Sequence, residues 1–242
     1  MPHLYRSFHR KLCDRYDSNV LASLEGLVRV SKKYLVRDMA EIAYEYVSRQ
    51  WPKTLQEWDM RAEELKIGQT LEPAWAIEFA TTHSLLDILP AAFYALATTA
   101  TNHNWDDTPG PRHLGARWSL LSAANAIRFA KGRDALIKFY ANLLDSAISP
   151  HAMCLTAARG TTQYGACSSA FRRMSEIGGL GQRPNLVFCG GAWDCLGALK
   201  VMIKEGNESL CAKCRSVAVS TYEKQRETLW RKMPEFFDLA PS

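Results

Sequence analysis

The sequence predicts a mostly α-helical fold, an irregular multi-helix array of hairpins with little or no sheet. Apolar residues recur at intervals of three and four over most of the chain. Strand-like alternation is nearly absent: Asn185 to Cys189 (NLVFC) reads as well as a buried loop as a short strand. Residues 74–97, AWAIEFATTHSLLDILPAAFYALA, show one apolar helix, a polar break and a second apolar helix opened by Pro90. Such a pair must bury itself against other helices, and it carries few groups able to do chemistry: Glu78, Asp87 and His83.

The elements follow in order. Val20, Leu24, Leu27 and Val28 define a first helix that Asn19 is placed to cap. Leu35, Val36, Met39, Ile42, Ala43, Tyr46 and Val47 share one face of a second, which Trp51-Pro52 ends because the residue before proline avoids helical backbone. Thr54 caps a third in TLQEWDMRAEEL. The stretch 102–112, with NHNWDDTPGP, is a linker. Beyond it Trp118, Leu121 and Ile127, then Leu136, Phe139, Tyr140, Leu143, Leu144 and Ile148, form two helices broken at Gly132. Residues 178–192 are a glycine-rich loop. A last long helix begins near Ser209, carries Leu210, Cys214, Val217, Ala218, Thr221, Tyr222, Gln225 and Leu229 on one face, and stops at Pro234. The expected organisation is 1–50, a hairpin region 51–101, the linker 102–112 and a C-terminal region 113–242.

Composition narrows the function classes. The chain has 242 residues, 47% of them hydrophobic, and a net charge of +5 spread along its length. A mild excess without a basic stripe argues against a nucleic-acid partner. The N-terminal MPHLYRSFHRKLCDRYD lacks a secretory apolar run, and Leu85 to Ala100, interrupted by Asp87 and Pro90, falls short of the roughly 20 residues a bilayer requires. The expectation is an intracellular protein of cytoplasm or nucleus, with no membrane partner. Seven unevenly spaced cysteines are not a secreted disulfide framework.

Hydrolytic and phosphate-binding patterns are missing. There is no Gly-x-Ser-x-Gly and no His-Glu-x-x-His, and His3, His9, His83, His103, His113 and His151 lie far apart. Gly178-Gly179-Leu180-Gly181 lacks the following Lys-Ser/Thr of a phosphate loop and reads as a turn. Asp106-Asp107 reads as solvated, and Lys131, Arg133, Lys138, Lys224, Arg226, Arg231 and Lys232 as exposed helix faces. The expected catalytic set is empty: a non-enzymatic protein-interaction module, with protein partners, the alternative being a zinc-stabilised binding module with a protein or nucleic-acid partner. The sharpest local signal is Cys211-Ala-Lys-Cys214, a thiol pair of the kind that forms half of a tetrahedral zinc site. By spacing, Cys189 and Cys195 in CGGAWDC would complete it; the alternative is free thiols filling small core sites.

The order of the segments resembles fungal, especially basidiomycete, proteins with a BTB/POZ domain followed by a helical C-terminal region containing BACK-like hairpins. LEGLVRVSKKYLVRDMAEIAYEYV looks like the closing helices of a BTB domain, with WPKTLQEWD just after it. AWAIEFATTHSLLDILPAAFYALA, LLSAANAIRFAKGRDAL, LCAKCRSVAV and LWRKMPEFFDL are similar to later segments of that family. The resemblance spans residues 20–239, with an irregular stretch from 150 to 195. It implies an adaptor. Homodimerisation and docking onto a cullin-type ligase scaffold go with a BTB core, whose sheet-containing part has no counterpart ahead of these helices. CSSAFRRM is similar to the family's Cys-x-x-Ala-Arg helix, so the resemblance implies Cys154 and Cys167 as the partners of Cys211 and Cys214 in a structural zinc site. Cys189 and Cys195 remain the competing pair.

Overall fold

The structure, a computed structural model, describes residues 18–66, 72–99, 116–148, 154, 161–178 and 194–239. Among them are nine α-helices and two short 3-10 turns, with no sheet. The all-helical expectation holds. The chain forms two compact units, residues 1–129 and 130–242, and their boundary falls inside a helix. The expected linker 102–112, the short strand candidate 185–189 and the glycine run after Gly178 lie outside the described residues.

In the first unit, α1 (Ser18–Tyr34) and α2 (Arg37–Gln50) form a hairpin. The helix opens at Ser18, so Asn19 lies inside its first turn and is not the cap. Leu35 takes the left-handed conformation at φ 56°, and Val36 N–H donates back to Ser31 O at 3.0 Å. Glycine is the usual residue there, because a side chain makes left-handed backbone costly. Trp51 ends α2 in extended backbone, as the following proline requires. Thr54 does cap α3 (Leu55–Lys66): its Oγ1 accepts from Glu57 N–H at 3.1 Å, while Glu57 reaches back to Lys53 N–H at 2.7 Å.

The apolar pair is α4 (Pro73–His83) and α5 (Leu89–Ala97), separated by left-handed Ser84 and a 3-10 turn at Leu86–Ile88. α5 is buried along nearly its whole length and α4 from Ala74 to Ala80 except at Glu78, and Trp51, Trp58, Ile77, Ile88, Phe93, Tyr94 and Leu96 fill the core around them. Each such side chain contributes about 1.5–3 kcal/mol by leaving water. Trp58 meets Tyr94 edge-on at 5.0 Å, and Trp75 stacks on Phe79 at 4.7 Å.

The polar groups of this region serve the fold. Glu72, 3% exposed, caps α4 by accepting from Ala74 and Trp75 N–H and also takes Arg117 N–H at 3.0 Å. Burial pushes its carboxyl up, and the three amide donors oppose that shift. Glu78 accepts from Ser122 N–H at 2.7 Å and Asn125 Nδ2 at 2.8 Å at the start of α6 (Ala123–Ile148). Asp87 pairs with Lys53 at 2.5 Å. His83 lies among Tyr44, Phe79 and Lys32.

The second unit holds the rest of α6, then α7 (Thr162–Gly178), α8 (Cys195–Ser209) and α9 (Ala212–Phe236), with α8 packed against both α7 and α9. Three expectations are corrected here. Gly132 does not break a helix: α6 is continuous through it, and a β-carbon at that position would run into the ring of buried Phe237. Glycine there permits close packing. Pro234 does not stop α9, which runs to Phe236; so near the helix end the missing N–H removes a single bond. Arg226 is buried at 8% exposure, not on a solvated face, and its Nε–H donates to Leu196 O at 3.2 Å. Its long apolar stem allows an arginine to lie in a packed stripe once its head finds a carbonyl.

A further difference concerns α2. The buried residues are Ala40, Ala43 and Val47, whereas Met39 and Ile42 are 41% and 38% exposed. The helix carries two apolar stripes, and the smaller side chains face inward. No helix among the described residues is long and apolar enough to cross a membrane.

Candidate metal centre

Cys154, Cys167, Cys211 and Cys214 lie together, every pair of Sγ atoms within 4.8 Å. Local structure explains each position. Leu210 follows α8 in extended backbone, and Cys211, also extended, becomes the N-cap of α9. Arg215 Nη2 donates to Leu210 O at 3.1 Å across that corner. Cys214 is one turn further on, so the x-x spacing turns both thiols to one side of the helix start. Cys167 belongs to the buried stripe of α7 with Ala170, Phe171 and Met174. Cys154 comes from the segment between α6 and α7.

The distances carry chemical information. Cys154 Sγ is 3.9 Å from Cys211 Sγ and 3.8 Å from Cys214 Sγ. A disulfide is about 2.0 Å long, so these are not bonded pairs. Four sulfurs around one zinc at about 2.3 Å form a tetrahedron whose edge is about 3.8 Å. Two of the six sulfur–sulfur edges already stand at that length, and the others lie within 4.8 Å.

The surroundings favour thiolates in part. Cys211 N–H donates to Cys167 Sγ at 3.4 Å, and the N-terminus of the 25-residue α9 presents its positive dipole end to Cys211 and Cys214. Burial pushes the Cys167 thiol up, and the Cys211 amide works against it. Cys154, Cys167 and Cys214 are buried; Cys211 is half-exposed. Four soft sulfur donors, three of them buried, suit a closed structural site holding zinc.

Of the competing pair, the structure describes Cys195 alone, and it is not among these thiols. Cys195, wholly buried at the start of α8, stands outside the group, and its thiol is held well above its ordinary value by burial and by the charge of Asp194. Cys189 lies outside the described residues, as do His3, His9, His103, His113, His151 and Asp106-Asp107. The Cys211 amide that supports Cys167 had no signature in the sequence, since any residue supplies an N–H.

No family model, curated protein or solved structure matches this chain. What the fold and the cluster define is a class: an all-helical protein with four convergent cysteines.

Proposed function

We propose that the chain is a non-enzymatic protein-interaction module, an adaptor, whose C-terminal unit is stapled by one zinc ion on Cys154, Cys167, Cys211 and Cys214. The observation that carries the metal is the spacing of the sulfurs, 3.8 and 3.9 Å where tetrahedral zinc needs about 3.8 Å. Zinc would supply folding free energy and no reaction, since all four ligands come from the protein. The order of segments resembling the C-terminal region of fungal BTB/POZ proteins supports the adaptor reading. So does the role of the polar residues in the apolar hairpin: Glu72, Glu78 and Asp87 are each engaged in caps or an ion pair.

The test is metal content by native mass spectrometry on the full chain purified with zinc. One zinc per chain is expected, lost in Cys167→Ala and in Cys214→Ala and kept in Cys195→Ala. A folded chain without metal, with four thiols titrating freely, would remove the zinc. A turnover abolished by changing one buried polar residue would remove the non-enzymatic reading.

A further inference from the structure

Among the described residues, the α1–α2 hairpin leaves one apolar face exposed. Val30, Tyr34, Leu35, Val36, Met39 and Ile42 are 38–86% exposed, and the residues from Lys32 to Met39 are exposed without interruption. Their place on the helices is defined by what α4 touches. α4 engages Glu25 through Trp75 Nε1, Lys32 through His83, and Tyr44 through Phe79 and His83. At 100° per residue, Val30 and Tyr34 lie about 160° around α1 from Lys32. On α2, Ile42 and Met39 lie about 140–160° from Tyr44. The two apolar pairs therefore share the side of the hairpin turned away from α4.

Charge frames this face unevenly. Exposed Arg29 and Lys33 flank it on the α1 edge, and exposed Asp38, Glu41 and Glu45 on the α2 edge. Among the described residues Arg29, Lys33 and Glu41 have no ion-pair partner; Glu45 is bridged to Arg49. A face that is basic along one edge, apolar in the middle and acidic along the other is complementary to itself. A two-fold axis parallel to the helices sets α1 of one copy against α2 of the other. It brings Arg29 opposite Glu41 and Lys33 opposite Asp38, since these residues stand at similar heights from the turn. A two-fold axis across the helices would oppose basic to basic.

We propose that this face is an isologous interface with a second copy of the chain, giving a four-helix arrangement of two hairpins. This deepens the interaction reading by naming a surface and its occupant, and it does not involve the metal. The strained, 86% exposed Leu35 at the turn lies at one end of the interface. Two short helices make a small interface, which places the dimer at the weak, micromolar end of the scale.

Sedimentation equilibrium of the full chain across that range tests it, with circular dichroism to verify folding. The expected result is a monomer–dimer equilibrium that Ile42→Asp weakens at least about tenfold. Arg29→Glu and Glu41→Arg should each weaken it, and the double variant should regain most of the loss. A wild-type chain that stays monomeric, a dimer indifferent to Ile42→Asp, or a double variant no tighter than the singles would overturn the proposal. None of these outcomes touches the zinc content, so failure here leaves the metal centre standing.

Discussion

Replacing a glycine in the interior of an exposed helix with alanine stabilises it by about 1 kcal/mol, because alanine has the better propensity. Gly132→Ala should do the opposite. A β-carbon built at position 132 overlaps the ring edge of Phe237, with three ring carbons too close and even Cγ at 2.7 Å. Phe237 is 0% exposed and sits at the C-cap of α9, so its ring has no solvent to move into. Overpacking of this kind costs about 1–3 kcal/mol. Against the propensity gain, the net expectation is a loss of about 1 kcal/mol, toward 2 if the ring is held firmly. Phe237→Leu alone should also destabilise, by removing ring contacts, yet it opens the space that the added methyl group needs. The two changes should then couple by at least about 1 kcal/mol in a double-mutant cycle. Urea unfolding read at Tyr and Trp fluorescence, at fixed excess zinc so that metal linkage does not vary, measures both quantities. A Gly132→Ala variant as stable as wild type, or more so, would refute the close-packing account and return Gly132 to the status of an ordinary helical glycine.

Two further outcomes follow from the first unit. Glu72→Ala strands three backbone N–H groups, those of Ala74, Trp75 and Arg117, and should cost about 2–4 kcal/mol, while Glu72→Gln, which keeps the oxygen shared by Ala74 and Arg117, should cost less; thermal unfolding distinguishes them. Burial, with Lys32 nearby, depresses the His83 imidazole below its ordinary 6.5, so the unfolded chain takes up a proton first and stability present above pH 6.5 is lost as the pH falls through the folded value. His83→Gln should flatten that slope in unfolding curves measured between pH 7 and pH 5; an unchanged slope would place the titrating group elsewhere.

The parts of the fold that were legible in the sequence are those governed by local chemistry. Thr54 with Glu57, Trp51 before Pro52, and Pro90 at the start of α5 act within a turn of themselves, so their effect is visible in a short window. The misread positions were decided by partners far along the chain. Gly132 is set by Phe237 across the second unit, and Arg226 is drawn inward by the carbonyl of Leu196. Met39 and Ile42 have the spacing of a core stripe, but the alanines beside them let α1 and α2 pack closely, and the smaller stripe won the interior. Periodicity counts apolar residues and does not weigh how near a neighbour can approach.

The candidate site shows the same division. The Cys211–Cys214 spacing is local and was visible. Its completion was not a matter of spacing, for Cys189 and Cys195 are nearer in sequence than the pair that the fold brings up. Helix phase decides. Cys195 follows the cap residue Asp194 and points into the packed stripe of α8 with Leu196 and Leu199, while Cys167 occupies the stripe of α7 that faces the start of α9. A metal there would join Cys154 and the α7 residue Cys167, 13 residues apart, to the α8–α9 corner 44 to 60 residues further along the chain. By the chain-entropy estimate used for disulfides, one cross-link over such a loop is worth about 4 kcal/mol. That is a large share of the roughly 5–15 kcal/mol by which a domain is stable at all. Such a cross-link would tie the segments of the second unit together through three buried thiols, Cys154, Cys167 and Cys214, and the half-exposed Cys211.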